Sequence, residues 1–277
     1  MRLTPSIDDW GFSLRDISEA TSRASIIGVP IDNLSLSETI EQARRAIIAR
    51  QRLQHVALNT AKLVNMRHDA VLWRDVVESD IVSPDGMGIV WAARLLGVRL
   101  CERVTGVDLM DGLLALSERE GFRPYILGAN PEVLDRACAV ISERHPKLEF
   151  AGRHHGYFKE DDAPTIARAI RECRPDLLFI AMPTPRKEQF MHRFRDELGV
   201  PFLMGVGGSV DVIAGVVKRA PLWMQRSGLE WFHRTLQEPG RMWRRYLVTN
   251  TAFAWLVLRA LVTRIDQPTT TCAGPSR

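Results

Sequence analysis

One carboxylate in the sequence lies where chemistry is expected. Asp85 follows an apolar run and lies between Pro84 and two glycines, in the stretch SPDGMGIVW of residues 83–91. It could act as a general base, because Gly86 and Gly88 leave room for a ligand close to the backbone. It could equally be the N-cap of the helix predicted next, since Asp is a favoured cap. A helix N-terminus lowers the pKa of a carboxyl group, so a base here needs burial beneath a ligand to raise it.

Two further segments have residue types that bind phosphate groups. Arg103 precedes Thr105, a candidate helix cap, so its guanidinium could lie near amides that attract anions, or it could form a surface salt bridge. The stretch GVGGSVD, residues 205–211, could hold a phosphate through its N–H groups or form only a tight turn. It matches neither GxGxxG nor GxxxxGK[ST], which disfavours a nicotinamide dehydrogenase and a P-loop NTPase.

Other chemistries find little support in the sequence. No Ser-His-Asp order or nucleophile elbow is present. His154 and His155 are adjacent, and adjacent side chains on an extended segment point to opposite faces, so we predict no metal site. The four cysteines are scattered without a C-x-x-C pair, which predicts neither a zinc site nor a disulfide framework.

The elements that must position these residues alternate between β and helical patterns from about residue 25 to 215. This order predicts a Rossmann-like, layered α/β domain, and runs that are apolar throughout predict a mainly parallel sheet. Helix starts are marked by a capping box at Ser35 to Glu38 and by the cap Asn130 with Pro131 at the first turn. The predicted strands are 25–31, 55–59, 80–83, 124–128, 148–152, 176–182 and 201–206.

The candidate residues follow the predicted strands. In α/β sheets, ligands bind at the carboxyl ends of the strands, where loops lead into helices. We therefore expect one site at this edge of the sheet. The segments that fall there are Asn59, Asp85, Gly128 to Asn130, Pro183 to Glu188 and Gly205 to Asp211.

The C-terminal region differs from the rest of the chain in charge. Residues 218–264 hold nine Lys or Arg, two Glu and four of the seven tryptophans, whereas the whole chain has a net charge of +4. Residues 246–262 predict a helix with Val248, Trp255, Leu258 and Val262 on one face. Because its apolar stretch is shorter than the roughly 20 residues of a spanning helix, we predict an interfacial helix on anionic lipid. The alternatives are a helix that closes the core and, less favoured, a nucleic-acid surface.

These patterns predict four segments. Residues 1–24 form an N-terminal extension, 25–217 the catalytic α/β domain, 218–264 a basic, tryptophan-rich helical appendage that associates with membrane, and 265–277 a disordered tail. The acidic residues near the N-terminus do not fit a signal peptide, so we expect a cytoplasmic protein.

Several long motifs in one order resemble a known family. They are SPDGMGIVWAARLLG with ERVTGVDL, GYF, P-x-P-x-x-E, GVGGSVDVIAGVVKRAP and GLEWFHRTLQEPGRMWRRY, between about residues 26 and 246. Together they are similar to the WecG/TagA/CpsF glycosyltransferases, glycosyltransferase family 26. The resemblance implies inverting transfer from a UDP-sugar to an undecaprenyl-diphosphate-linked saccharide at the cytoplasmic face of the inner membrane, with no cofactor and no essential metal.

The resemblance also implies roles for residues. Asp85 would be the general base and Arg103 would steady the diphosphate leaving group. Arginines of the appendage, Arg234, Arg241 and Arg244, would bind the acceptor diphosphate near the membrane. The expected substrate-binding residues are Ala57, Asn59, Gly86, Gly128, Asn130, Lys187, Glu188, Gly207, Gly208 and Asp211.

Two departures from the family pattern bear on the donor sugar. N-acetylmannosaminyl members carry Thr-x-Asn where this chain has Ala57-Leu58-Asn59, and Pro-Lys-Gln-Glu where it has residues 185–188, PRKE. The missing hydroxyl and amide groups suggest a different sugar. The variant stretches resemble the xanthan-type branch, which implies transfer of glucose from UDP-glucose with a β-1,4 bond in exopolysaccharide assembly.

Two alternatives to glucose transfer stay open. One is a UDP-N-acetylmannosamine transferase of teichoic-acid or enterobacterial-antigen type. The other is a non-catalytic module that binds nucleotide sugar or tethers to membrane, in which Asp85 is only a cap. We expect no nucleic-acid partner, and the sequence leaves a homo-oligomer open.

Overall fold

A computed structural model describes residues 23–237 and 239–265 of the chain. The predicted extension 1–24, apart from its last two residues, and the predicted tail 265–277, apart from its first residue, lie outside this part. The boundary between a catalytic domain and an appendage near residue 217 stays a prediction.

Six parallel strands form the main sheet, in the spatial order β4-β3-β8-β7-β5-β6. This arrangement confirms the predicted Rossmann-like α/β fold with a parallel sheet. The predicted strand 148–152 is displaced toward the C-terminus, because only residues 152–154 pair with β5. The strands are β3 (Leu53–Leu58), β4 (Ile81–Pro84), β5 (Pro124–Gly128), β6 (Gly152–His154), β7 (Leu177–Ala181) and β8 (Phe202–Gly205).

The prediction of a single first strand is wrong. Residues 25–31 do not make one strand but belong to an antiparallel hairpin of β1 (Arg23–Ile26) and β2 (Val29–Asp32) outside the main sheet. The turn residues Ile27 and Gly28 have φ angles of 52° and 79°, the left-handed values that a two-residue hairpin turn requires. An apolar run alone does not reveal such a turn when Ile occupies its first position.

Helices cover both faces of the sheet. The predicted capping box at Ser35 and Glu38 and the Asn130 cap are both present. The helices are α1 (Leu36–Ile48), α2 (Thr60–Met66), α3 (Ala70–Val77), α4 (Met87–Leu95), α5 (Gly106–Glu120), α6 (Pro131–Arg144), α7 (Ala163–Cys173), α8 (Arg186–Arg193), α9 (Ser209–Ile213), α10 (Leu222–Arg226), α11 (Glu230–Gln237) and α12 (Pro239–Ile265).

Alternate residues of each strand face two separate apolar cores. On β7, Leu178 and Ile180 face the core beneath α2, α3, α4, α7 and α8, whereas Leu177 and Phe179 face the core beneath α1, α5, α6 and α9. A two-residue period on a strand buried on both faces produces this division. The sheet is therefore the middle of three layers, and its carboxyl edge opens between the helix N-termini.

The C-terminal helix packs on the first of these cores along one face only. Phe253 and Val257 of α12 are buried in that core, and α12 lies against α2. The predicted helix 246–262 lies within α12. Its predicted shared face, Val248, Trp255, Leu258 and Val262, is exposed. The helix therefore closes the core on one side, as one alternative expected, and leaves an apolar face outside; contact of that face with anionic lipid stays a prediction.

A substitution of Gly128 tests how tightly the strand ends are packed. Its φ is +127°, and an added Cβ would lie 2.4 Å from the Ala181 carbonyl oxygen. We expect Gly128→Ala to lower the free energy of unfolding by about 2–5 kcal/mol in chemical denaturation. Gly121→Ala is the control, because φ is +75° there and an added Cβ meets nothing within 4 Å. Its expected cost is about 1 kcal/mol, and equal losses in both variants would contradict the close packing.

Candidate functional site

The predicted residues meet where β3, β4, β7 and β8 end. Leu58 pairs in register with Pro84, so Asn59 and Asp85 leave neighbouring parallel strands side by side. The Asp85 N–H donates to the Leu58 carbonyl at 2.9 Å, and a Cβ on Gly86 would lie 3.7 Å from the Asn59 Cβ. Asn59 itself caps α2, since its side chain accepts from the Lys62 N–H at 2.9 Å.

Asp85 does not cap the helix that follows it. Gly86 is the N-cap of α4, and the Asp85 Oδ1 instead accepts from the N–H of Gly106, the first residue of α5, at 3.2 Å. Burial raises the pKa of Asp85, and the charge of Glu230 adds to this. The Gly106 N–H and the charges of Lys62 and Arg103 oppose the rise without cancelling it. A carboxyl group with a raised pKa at this edge of the sheet, which we call the cleft, is suited to take up a proton.

Arg103 is paired across the cleft with a residue that we did not predict. Its Nη1 donates to the Glu230 Oε2 at 2.9 Å, and the Arg103 side chain is only 16% exposed. Glu230 is the first residue of α11 and belongs to the motif that begins GLEW. The motif was the available signal, but nothing local indicates which arginine the carboxylate contacts. Arg103 is therefore largely buried, and the Glu230 carboxylate occupies the position that an anionic ligand could take.

The glycine-rich loop after β8 meets the same helix. Gly207 has a φ of +53°, and a Cβ on Gly208 would lie 2.8 Å from the Arg234 Nη2 and 3.5 Å from the Asp211 Oδ2. The Arg234 Nε is buried and has no hydrogen-bond partner. A side chain at position 208 would displace the Arg234 guanidinium from this place. The loop and α11 thus form one wall of the site, with the Arg234 guanidinium against the glycine backbone.

Beneath this wall lies a buried cluster of three charges. Lys62, Lys187 and Glu188 are 4%, 7% and 0% exposed. The Glu188 Oε1 lies 2.8 Å from the Lys62 Nζ and 3.2 Å from the Lys187 Nζ. Lys62 also donates to the Ala57 carbonyl at 2.6 Å, and Lys187 to the Thr184 Oγ1 at 2.7 Å. The two positions that depart from the family pattern, Ala57 and Lys187, are therefore joined through Lys62 and Glu188.

Opposing effects set the ionisation of this cluster. Burial and the charge of Lys62 lower the pKa of Lys187 to about 8, although Glu188 and Asp85 favour its charged form. Burial alone would raise the pKa of Glu188, but the two lysines outweigh it and the pKa is lowered. The sequence did not predict Lys62, because a lysine in the first turn of a helix is usually exposed.

A second arginine pair lies beside the cleft. Arg219 donates to both carboxylate oxygens of Asp108 at 2.6 and 2.7 Å, and the Thr105 hydroxyl donates to the same group at 2.6 Å. Burial would raise the pKa of Asp108, but these donors lower it. Arg219 lies in the quoted motif GVVKRAP, yet the sequence did not single it out. The pair fixes the start of α5, whose first N–H holds Asp85.

Other predicted residues lie farther from this cluster. Gly128 and Asn130 end β5, which β7 separates from β8, and the Asn130 side chain caps α6 at the Glu132 N–H. Arg244 is exposed on α12, and the side chain of Arg241 lies outside the described part of the chain. Whether these residues contact a ligand stays a prediction.

The expectation for the two histidines is corrected by the structure. The rings of His154 and His155 do not point apart, since their centroids lie 4.7 Å from each other. The strand β6 ends at His154, so strict alternation no longer holds at His155. Within the described residues, no group of three or more His, Cys, Asp or Glu side chains is placed to hold a metal ion.

Comparisons with known proteins point to one family. The model of the glycosyl transferase WecG/TagA/CpsF family matches residues 24–267. An N-acetylglucosaminyldiphosphoundecaprenol N-acetyl-beta-D-mannosaminyltransferase of Bacillus subtilis (strain 168) is 37% identical over 169 residues, 61% of this chain and 65% of that protein. A protein of the same name from Staphylococcus aureus (strain MW2) is 30% identical over 228 residues, 81% of this chain and 87% of the relative.

The raised pKa of Asp85 predicts that this residue destabilises the fold at neutral pH. A raised pKa in the folded state favours the protonated form, so stability is lost as pH rises through the folded pKa. We expect Asp85→Asn, which can still accept from the Gly106 N–H, to raise Tm at neutral pH by roughly 2–4 °C. The gain should shrink in acid. Thermal unfolding across pH tests this, and a lower Tm for the variant at neutral pH would contradict it.

Proposed function

The chain belongs to the WecG/TagA/CpsF glycosyltransferase family, and we propose that it transfers a sugar from a UDP-sugar to a saccharide linked to undecaprenyl diphosphate. One observation carries the proposal. The Asp85 carboxyl group, with a raised pKa, lies at the N-terminus of α5 between a paired arginine and a glycine-rich loop. A base next to groups that bind phosphate is what transfer from a nucleotide sugar requires.

In the proposed mechanism, Asp85 takes the proton of the acceptor hydroxyl. The resulting oxygen attacks the anomeric carbon from the face opposite the diphosphate, so the bond to UDP breaks and the configuration inverts. Arg103 and Arg234, beside the glycine-rich loop, receive the negative charge that develops on the leaving diphosphate. Arg103 reaches that position when Glu230 releases it.

For the donor and acceptor, we propose N-acetylmannosamine and an N-acetylglucosaminyl diphosphate lipid as the first candidates. The names of the relatives in Bacillus subtilis and Staphylococcus aureus support this pair. Two relatives, one of them matched over 87% of its length, agree in the named reaction. This assignment takes precedence over the glucose transfer that the sequence suggested.

Glucose from UDP-glucose remains the second candidate, because two specific observations favour it. Ala57 offers no side-chain hydroxyl, and Lys187 is a buried cation where N-acetylmannosaminyl members have an amide. An ammonium group only donates hydrogen bonds, whereas an amide also accepts one. These two differences at the expected sugar-binding positions support a change of donor sugar. The corresponding reaction would form a β-1,4 bond in exopolysaccharide assembly.

We also propose that the protein acts at the cytoplasmic face of the inner membrane. The exposed face of α12 supports this, together with exposed aromatic side chains on α10 and α11. By length and composition alone, Tyr246–Thr263 could cross a membrane, but Phe253 and Val257 within it pack on the core, which favours contact along the surface. The exposed residues are Leu222, Trp223, Trp231, Phe232, Leu236, Trp243, Leu247, Val248, Trp255, Leu258 and Val262.

A donor assay separates the two candidates. Purified protein is incubated with UDP-N-acetylmannosamine and an N-acetylglucosaminyl diphosphate lipid, or with UDP-glucose and a glucosyl diphosphate lipid, and UDP release and product mass are followed. We expect transfer from UDP-N-acetylmannosamine. Transfer from UDP-glucose alone would select the second candidate, and no UDP release with either pair would contradict the proposed function.

The role of Asp85 is tested by the variant that removes only its basicity. We expect Asp85→Asn to lower kcat by about 10²-fold or more, because general base catalysis contributes this much. Asp69→Asn is the matched control, since Asp69 caps α3 at the Leu72 N–H, 2.9 Å away, and an asparagine preserves the cap. Turnover in Asp85→Asn equal to that in Asp69→Asn would contradict the role of Asp85 as the base.

A further inference from the structure

Two charges of opposite sign flank Asp85, one buried and one partly exposed, and neither belongs to the strand end that carries Asp85. Lys62 comes from the first turn of α2 and Glu230 from the first turn of α11. We infer that Lys62 and Glu230 are positioning residues that set the ionisation of Asp85 in opposite directions, Lys62 by favouring the carboxylate and Glu230 by disfavouring it. This inference rests on the proposed function, in which Asp85 is the base.

Backbone geometry fixes Lys62 on its side of the cleft. Asn59 caps the helix that carries Lys62 and also packs against Gly86, the residue after Asp85. The Lys62 ammonium is held at the Ala57 carbonyl and at Glu188, so it cannot turn away to solvent. The cation is therefore fixed one strand away from Asp85, in surroundings where water screens little.

Packing of the C-terminal segment fixes Glu230 on the other side. A Cβ on Gly228 would lie 3.0 Å from the Cβ of Met87, the first residue of α4, and 2.5 Å from the Trp91 ring. The segment that leads into α11 therefore lies directly on the helix that follows Asp85. Gln237 holds the far end of α11, since its side chain bonds both the N–H and the carbonyl of Lys218. Glu230 thus reaches Arg103 from a fixed position.

Further groups act on Asp85 from the elements packed around it. Arg103 and the Gly106 N–H favour its carboxylate, as Lys62 does, and Glu230 and burial oppose it. Asp85 in turn favours the charged form of Lys187, which lies in the same buried cluster as Lys62. Of these groups, Lys62 and Glu230 contact neither Asp85 nor each other by a described hydrogen bond. They can be exchanged without removing a direct partner of the base.

The proposed arrangement ties the base to the C-terminal segment. Glu230 begins α11, and α11 packs on α12 through the rings of Trp231 and Tyr246, whose centroids are 5.9 Å apart. A shift of these helices that withdrew Glu230 would lower the pKa of Asp85 and free Arg103 together. The same carboxylate therefore links the strength of the base to the availability of the phosphate-binding arginine.

The test compares the pH dependence of kcat/KM in Lys62→Met and Glu230→Gln. Because the base must be ionised, the acid limb reports the ionisation of Asp85. We expect Lys62→Met to move this limb up by about one pH unit, the effect of losing one nearby opposite charge. Glu230→Gln should move it down, because the variant removes a negative charge and leaves the charge of Arg103 unpaired. Lys62→Arg keeps the charge and should restore the limb.

A second measurement does not depend on turnover. The pH dependence of the Tm difference between each variant and its Asp85→Asn derivative reports the ionisation of Asp85 in the free protein, and it should shift in the same opposite directions. The exposed residues Lys147 and Glu132 provide charge-matched controls, Lys147→Met and Glu132→Gln, which should shift neither measurement.

If the stability measurement shows opposite shifts but the protein has no turnover, the inference is supported and the proposed function is contradicted. Shifts in one direction, or no shift in folded variants, would overturn it. If Lys62→Met does not fold, Glu230→Gln decides alone, because an unmoved or raised limb and an unmoved stability profile would contradict its predicted role.

Discussion

The burial of Glu188 between two lysines is the interaction on which the site depends. A carboxylate that is 0% exposed is stable only with its charge compensated, and Lys62 and Lys187 supply that compensation from α2 and α8. The three residues therefore join the ends of β3 and β7 across β8. Lys187 can be buried because the adjacent buried Glu188 compensates its charge. This buried cluster therefore stabilises the fold and also forms part of the candidate site.

Some buried polar atoms at the site have no hydrogen-bond partner. Within the described residues, three of the seven buried polar side-chain atoms without a hydrogen-bond partner belong to Glu188, Arg219 and Arg234. Such atoms destabilise a fold unless a ligand or water meets them. Together with the raised pKa of Asp85, they indicate a cleft kept ready for a polar, charged substrate.

The last helix serves two surfaces. Its inner face places Phe253 and Val257 in the core, and its outer face leaves Trp255 and Leu258 exposed. Because α11 packs on this helix and places Glu230 on Arg103, the exposed apolar surface and the candidate site are parts of one packed unit. A transferase whose acceptor is lipid-linked would need such continuity between membrane contact and active site.

The sequence by itself determined the parallel α/β fold, the helix caps at Ser35 and Asn130, and the gathering of Asn59, Asp85 and the glycine-rich loop at one edge. These features follow from local periodicity and from the rule that parallel strands end at the same edge. The same reasoning did not predict the hairpin turn that has Ile27 at its first position.

Only the tertiary structure decided the partners of those residues. Asp85 is held by Gly106 rather than capping its own helix, and Arg103 meets Glu230, 127 positions away. Lys62 turns inward to Glu188 although its position in a helix favours exposure. A charged side chain's partner depends on which distant elements pack beside it, and the interaction becomes strong only after packing has excluded water, so no local pattern encodes it.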